Sequence, residues 1–233
     1  MEQAQSINEV LERSGLSLSD LLSMMSTECL DSTLFKLSDE DHAEYHRLFS
    51  VFDQSRLNKD SRKGDALEEL ASYLISKIGI YNVMRNKRTS TNEIDIVLVK
   101  KIGLQVFDNK LLPDYLICEC KNYGDSVSVT YVGKFYALLK VSGVKLGLMI
   151  SDAKISGRLN WTDGNGLCRK IALRDDTYIV NISYDDLKAI DEHNVPMLKL
   201  VVDKINEIKL DIAINYDEHE LCADSTFICM DSD

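Results

Sequence analysis

The sequence lacks the marks of secreted and membrane proteins. Its first residues, Met1 to Ser6, contain neither the basic segment nor the apolar stretch of a signal peptide. Its longest apolar runs are far shorter than a membrane-spanning helix requires. We therefore expect a cytoplasmic protein that does not enter a membrane.

Paired cysteine spacings are also absent. The six cysteines stand at positions 29, 118, 120, 168, 222 and 229, and none forms the CxxC spacing of zinc or redox sites. Reduced and mostly buried thiols are the expected state. Cys118 and Cys120 could be taken as a metal pair, but core packing is the favoured interpretation.

Positive charge is scarce, with 27 Lys and Arg against 38 Asp and Glu and a net charge of −11. Because phosphate contacts dominate nonspecific affinity, this balance argues against a general nucleic-acid coat protein. The tail alone carries six of the acids and no Lys or Arg: Asp217, Glu218, Glu220, Asp224, Asp231 and Asp233. The rest of the chain therefore carries −11 + 6 = −5.

The 233 residues suffice for one good-sized core with appendages. We predict a helical N-terminal region over 1–54, a polar linker over 55–63 and a mixed α/β domain over 64–192. A C-terminal helix over 193–216 and an acidic tail over 217–233 follow. Pro196 suits the first turn of that helix, which is expected to reach Leu210, with a disordered or partner-binding tail beyond it.

Two short runs rich in Ile and Val, Asn92–Val99 and Tyr115–Asn122, have the composition of strands bounded by turn residues. Each carries charge where a buried strand should be apolar. The period of two puts Glu119 and Lys121 on one face of the second strand. Asp95 interrupts the first strand, and burying a carboxylate costs several kcal/mol unless it is paired or binds a metal.

Metal-assisted phosphodiester hydrolysis uses such a set of groups. Asp95 and Glu119 on adjacent strands could hold Mg²⁺ through their oxygens, and Mn²⁺ could substitute. Bound metal would polarise the phosphate and lower the pKa of a water molecule. Lys121 could orient that water, help to deprotonate it, and offset charge on the phosphate.

Together, Asp95, Glu119, Cys120 and Lys121 resemble the PD-(D/E)xK nuclease signature. The run Glu119–Gly124, a helix over Val127–Val141 and a strand over Gly143–Ser151 are similar to the Mrr-like restriction endonucleases. The resemblance covers roughly 63–190. It implies a metal-dependent endonuclease acting on DNA in restriction or antiphage defence, with RNA still open as a substrate, and it places Cys120 with Asp95 and Glu119 among the metal-site residues.

A helical glutamate before the first strand commonly helps to coordinate the metal in this superfamily. The helix expected from Gly64 to Ile78 offers Glu68, which lies at the edge of its apolar face, whereas Glu69 lies nearly opposite. We carry the metal and catalytic role to Glu68. The alternative is a capping box with Asp65, which would make Glu68 a helix cap.

Basic and histidine residues give weaker signals. Arg85, Lys87 and Arg88 lie in a predicted loop over 81–91 that either meets phosphates or forms a solvated turn, and Asn122 is added as a further nucleic-acid contact. His42 and His46 have a metal-ligand spacing on one predicted helix, which begins near Ser38, but no third ligand is evident nearby.

The predicted order from Gly64 is αβββαβ followed by αβα, with the second strand over Leu104–Phe107. This order gives a mixed sheet flanked by helices, a restriction-endonuclease-like core. The alternative function is a catalytically silent nuclease fold that binds nucleic acid or a partner. We also expect a homo-oligomer, and a partner subunit that contacts residues 1–54 or the acidic tail. The tail could instead mimic phosphate in its own cleft.

Overall fold

The structure is a computed structural model that describes residues 35–58, 63–78, 81–88, 93–100, 113–121, 126–157 and 163–225. Within β1, β2 and the ends of two helices some side chains fall outside this description, namely those of 63, 85–88, 93–95 and 214–225. The helices predicted before residue 35 and the strand predicted at Leu104–Phe107 also lie outside the described residues.

The described residues form six helices: α1 (Asp39–Leu57), α2 (Lys63–Ser76), α3 (Val129–Ser142), α4 (Gly164–Asp175), α5 (Tyr184–His193) and α6 (Met197–Ser225). Local chemistry sets several of their ends. The hydroxyl of Ser38 accepts from the backbone N–H of Asp41 at 3.2 Å and caps α1. The carboxylate of Asp163 caps α4 in the same way, and Gly143 ends α3 in the left-handed region at φ 67°.

Five strands form one mixed sheet in the order β1-β2-β3-β4-β5. They are β1 (Tyr81–Arg88), β2 (Glu93–Lys100), β3 (Tyr115–Lys121), β4 (Leu146–Ser151) and β5 (Tyr178–Ile182). The first three strands pair antiparallel, whereas β3, β4 and β5 run parallel. The expected αβββαβ order and mixed sheet are therefore confirmed, with β1 as a strand that the sequence did not predict.

Each face of the sheet has its own core. Alternate residues such as Leu98, Cys118 and Leu148 pack against α1, α2, α5 and α6. Residues of the opposite parity, including Ile117 and Met149, pack against α3 and α4. Three layers result, because a sheet whose strands are apolar on both sides must be covered on both sides.

Two predicted boundaries differ in the structure. Helix α1 continues to Leu57, into the segment assigned to a linker, and buries Tyr45, Leu48 and Phe52 in the same core as the sheet. Helix α6 passes Leu210 and ends at Ser225, so the first part of the acidic tail is helical rather than disordered. The apolar side of α1, which includes its aromatic residues, is buried against this core and holds α1 to the domain.

Candidate active site

Strand β3 separates the charged and apolar residues of the motif. Cys118 and Cys120 point into the core shared with α1 and α2. Glu119 and Lys121 point to the opposite face, with side chains 17% and 22% exposed. The ammonium of Lys121 and the carboxylate of Glu119 form a direct ion pair. The predicted alternation is therefore present, and the charge of each group is balanced by the other.

Asp95 lies on β2, the strand next to β3, at the level of Glu119. Strands β2 and β3 are antiparallel, with Ile96 opposite Cys118 and Val97 opposite Ile117. Continuing this register by one pair places Asp95 opposite Glu119, on the same face of the sheet. The Asp95 side chain lies outside the described residues. The backbone thus brings the two predicted acids to one level of adjacent strands.

The end of β4 completes the surroundings of Lys121. Ser151 lies beside Lys121 in the parallel register. The amide nitrogen of Asn181 donates to the hydroxyl of Ser151 at 2.7 Å and to the carbonyl of Met149 at 2.9 Å. Its oxygen accepts from the N–H of Ile155 at 3.2 Å. Asn181 therefore holds the strand end and the following turn in place.

Asp152 follows directly after β4. Its backbone N–H donates to the carbonyl of Lys121 at 3.4 Å, and its carboxylate is only 8% exposed. Neither Asp152 nor Asn181 was predicted from the sequence as part of the site. Asn181 gave the same signal as Asp95, because it is a polar residue within an otherwise apolar strand.

Glu68 is exposed on α2, the helix that covers the face of Cys118 and Cys120. Glu119 and Lys121 lie on the other face, so Glu68 would have to reach the site around the end of the sheet. Because α2 begins at Lys63, Asp65 lies inside the first turn and not at the N-cap. The capping-box interpretation is therefore wrong, and the metal role of Glu68 stays a prediction.

The predicted basic loop is a strand. Arg85, Lys87 and Arg88 lie on β1, where Arg85 is opposite Ile96 and Lys87 opposite Ile94. The interpretation as a solvated turn was therefore wrong, and their side chains lie outside the described residues. Asn122 also falls outside them. Contacts of these four residues with nucleic acid stay predictions.

Both N-terminal histidines dock α1 onto α5. His42 Nε2 lies 3.0 Å from the carbonyl oxygen of Ile190, and His46 Nδ1 lies 2.8 Å from a carboxylate oxygen of Asp191. Across the side chains that the structure describes, no group of three or more His, Cys, Asp or Glu could hold a metal ion. The two histidines thus have structural partners.

The donor set at β2 and β3 fits a hard divalent cation. Glu119 and the backbone position of Asp95 lie at one level of adjacent strands, and carboxylate oxygens are the ligands that Mg²⁺ and Mn²⁺ prefer. The thiol of Cys120 is buried on the other face, so only the backbone of Cys120 is available to a metal there. Cys118 and Cys168 are buried and not disulfide-bonded, and burial raises the pKa of the Cys168 thiol to about 12. None of the described helices is both long and apolar enough to cross a membrane.

Comparison with known proteins supports the resemblance. Residues 60–158 match the family model Mrr_cat, described as a restriction endonuclease. No curated protein matches the sequence. One solved structure, the DNA modification-dependent restriction endonuclease AspBHI, aligns at 13% identity and a TM-score of 0.38 over 75% of this chain. The chain spans only 41% of that protein. Residues 60–158, which include Asp95, Glu119 and Lys121, therefore form the segment of this chain that matches a restriction endonuclease domain, and the resemblance to the Mrr-like restriction endonucleases is confirmed.

Proposed function

We propose that this protein is a divalent-metal-dependent endonuclease that hydrolyses phosphodiester bonds of DNA and serves in restriction or antiphage defence. One observation carries the proposal: Glu119 and Lys121 are paired on one face of β3, and the register of β2 brings Asp95 opposite Glu119. Residues of the matched restriction endonuclease segment thereby meet at a single level of the sheet.

Each side chain has a distinct task in this proposal. Asp95 and Glu119 are the oxygen ligands for Mg²⁺ or Mn²⁺, with Glu68 as an additional acid. When bound, the metal ion supplies Lewis-acid polarisation of the phosphate and a more acidic water. Lys121 places its ammonium where negative charge grows as the water oxygen bonds to phosphorus and the bond to the departing sugar oxygen breaks.

The ion pair between Lys121 and Glu119 also has a consequence for the state without substrate. A carboxylate beside a second carboxylate is destabilised by repulsion, and an ammonium on the same face offsets part of that cost. The pair therefore holds the ammonium of Lys121 on the face of Glu119 before substrate arrives. Such preorganisation is the usual source of electrostatic catalysis.

Cleavage assays test this function directly. Purified protein is incubated with supercoiled plasmid, linear duplex, single-stranded DNA and RNA, each with Mg²⁺, Mn²⁺ or EDTA. We expect nicking and linearisation of plasmid with either metal and no product in EDTA. Modified and unmodified plasmids in parallel would show whether base modification matters.

The same assay distinguishes nuclease activity from the alternative function, a catalytically silent module. Binding of DNA without any cleavage, across all metals and substrates, would favour the catalytically silent module. The homo-oligomer and the partner subunit that contacts residues 1–54 or the tail stay predictions, and mass measurement of the purified protein tests the first of them.

A further inference from the structure

We propose that the open face of the sheet, formed by Met84, Val97, Val99 and Tyr115, binds unpaired bases of the nucleic-acid substrate, with Tyr115 as the stacking side chain. The inference rests on the proposed nuclease function, because the face borders the Glu119–Lys121 pair. It adds a substrate class: strands whose bases are unpaired close to the bond that is cut.

The register shows that the open face and the charged pair share one side of the sheet. Met84 is opposite Val97. Val97 is in turn opposite Ile117, and Val99 is opposite Tyr115. Opposite residues of antiparallel strands point to the same side. Along β3, Tyr115, Ile117 and Glu119 alternate with Leu116 and Cys118, which point to the opposite side of the sheet. Tyr115, Ile117 and Glu119 therefore point to the same side as Val97 and Val99.

Helix α3 covers only the inner part of this side. It packs closely over β4, where a Cβ at Gly147 would come within 2.6 Å of the Phe135 ring. Ile117 is buried beneath it. Farther out, Tyr115 remains 56% exposed and Met84 43% exposed. Large apolar side chains exposed together on one sheet face are typical of a binding surface.

Helix α3 borders the open face with an aromatic and a cationic side chain. One side of α3 faces α4. Lys140 on that side pairs with Asp175 at 2.9 Å, and a Cβ at Gly133 would lie 4.0 Å from the Leu167 side chain. At 100° per residue, Tyr131, Lys134 and Leu138 lie on the other side of α3, toward β2 and β1. Lys134 Nζ lies 5.6 Å from the centre of the Tyr131 ring.

This combination fits a single strand of nucleic acid. Bases stack on exposed aromatic side chains whatever their sequence, and cations along a groove follow the phosphates. Tyr115 precedes Glu119 on the same face by about 13 Å, taking about 3.3 Å per residue. A strand with its phosphate at the charged pair would therefore place a base only a few nucleotides away on Tyr115. Bases inside a duplex are already stacked and cannot occupy the face in this way.

Fluorescence anisotropy in EDTA measures binding without cleavage. Labelled single strands and the matching duplex are titrated with wild-type protein, Tyr115→Ala, Tyr115→Phe and Lys134→Ala. Leu210→Ala is the matched control, because Leu210 is an exposed apolar residue on α6. We expect Tyr115→Ala to weaken single-strand binding by about tenfold, while Tyr115→Phe keeps the ring and the affinity. Duplex binding should change less than twofold in Tyr115→Ala and Leu210→Ala.

A second experiment detects stacking of a base on Tyr115 directly. A 2-aminopurine placed at successive positions of the single strand should be quenched by wild type and by Tyr115→Phe at one or two positions only, and not by Tyr115→Ala. Equal single-strand affinity in wild type and Tyr115→Ala overturns the inference, even if metal-dependent cleavage is intact. An altered oligomeric state of Tyr115→Ala with unchanged DNA binding also overturns it, in favour of a second copy on this face. Wild type that neither binds nor cuts any nucleic acid defeats the proposed function as well.

Discussion

The guanidinium of Arg56 lies 3.6 Å from the carboxylate of Asp152, and this ion pair joins helix α1 to the end of strand β4. Arg56 also lies over the ring of Tyr184 at 3.8 Å from its centre, and the Tyr184 hydroxyl donates to Asp53 at 2.8 Å. Asp152 is the residue whose backbone bonds to Lys121. Helix α1 therefore supports the strand end beside the charged pair.

Loss of the Arg56–Asp152 ion pair should be measurable as a loss of stability. We expect Arg56→Ala to lower the free energy of unfolding by about 1–3 kcal/mol, because the largely buried carboxylate of Asp152 loses a cation. Urea denaturation measures the change. Arg47→Ala is the matched control, since Arg47 pairs with Glu44 on the exposed side of the same helix and its loss should have little effect on stability. Equal losses in both variants would show that the Arg56 pair is only a surface contact.

Lys121→Ala should abolish most cleavage while DNA binding persists. Removing a charge that stabilises the transition state costs about 3 kcal/mol or more, which is at least a hundredfold in rate. Single-turnover cleavage and anisotropy measure the two properties. Lys188→Ala serves as control, because Lys188 pairs with Glu192 on the solvent side of helix α5. A Lys121→Ala protein that cuts at the wild-type rate would refute the site.

The adjacent acids of α2 test the role of Glu68. Both Glu68 and Glu69 are exposed, so neither substitution should disturb folding. We expect Glu68→Gln to reduce metal-dependent cleavage far more than Glu69→Gln, and to raise the Mg²⁺ concentration needed for half-maximal rate. A larger effect of Glu69→Gln would mean that the other side of the helix approaches the metal. No effect of either would leave the site with acids from the strands alone.

Asp95 can be tested without any substrate. Like charges 4 Å apart repel by about 4 kcal/mol at an effective dielectric of 20, so Asp95→Asn should melt at or above the wild-type temperature in EDTA at neutral pH. With a millimolar Kd, 10 mM Mg²⁺ would stabilise wild type by about 1.4 kcal/mol, and the variant should lose most of this gain. Differential scanning fluorimetry decides. Equal metal-induced shifts would place the ion elsewhere, and strong destabilisation in EDTA would make Asp95 a structural acid.

A pH dependence is expected where α1 meets α2. Lys77 Nζ lies 2.6 Å from a carboxylate oxygen of Asp41, and hydrogen bonds from Lys77, Ser38 and Tyr73 lower the pKa of Asp41 below its usual 3.8 despite opposing desolvation. A carboxyl whose pKa is lower in the folded state stabilises the fold above its unfolded pKa, and this stability is lost as pH falls through the folded pKa.

Asp41→Asn should therefore be less stable than wild type at pH 7, with a difference that stays constant down to about pH 5 and shrinks below about pH 4. Melting temperatures of both proteins from pH 7 to pH 3 measure it. Asp39→Asn in the same helical turn is the control for general charge effects. A difference that grows on acidification would contradict the sign of the Asp41 shift.

Much of the fold followed from local patterns. Period-two alternation on β3 was enough to place Glu119 and Lys121 together and the cysteines opposite them. Ser38 marked the start of α1 through capping chemistry that acts over a few residues. These features depend on neighbours in sequence, so the sequence alone determined them.

Strand β1 could not be recognised in the same way. Its second half, Arg85 to Arg88, is polar and basic, which is typical of a turn. Among the described strands β1 lies at the edge of the sheet, and edge strands carry such charge because it discourages pairing with other chains. Only the pairing with β2 shows that this segment is extended.

Contacts between distant parts of the chain also required the tertiary structure. Arg56 pairs with Asp152, and Asn181 bonds to Ser151, which lies beside Lys121. These contacts join separate segments of the chain, and no spacing in the sequence connects them. The sequence by itself determined which residues carry charge on a strand face and where helices begin. The tertiary structure decided which strands lie side by side and what surrounds Lys121, because strand order and helix packing depend on how the whole chain buries its apolar surface.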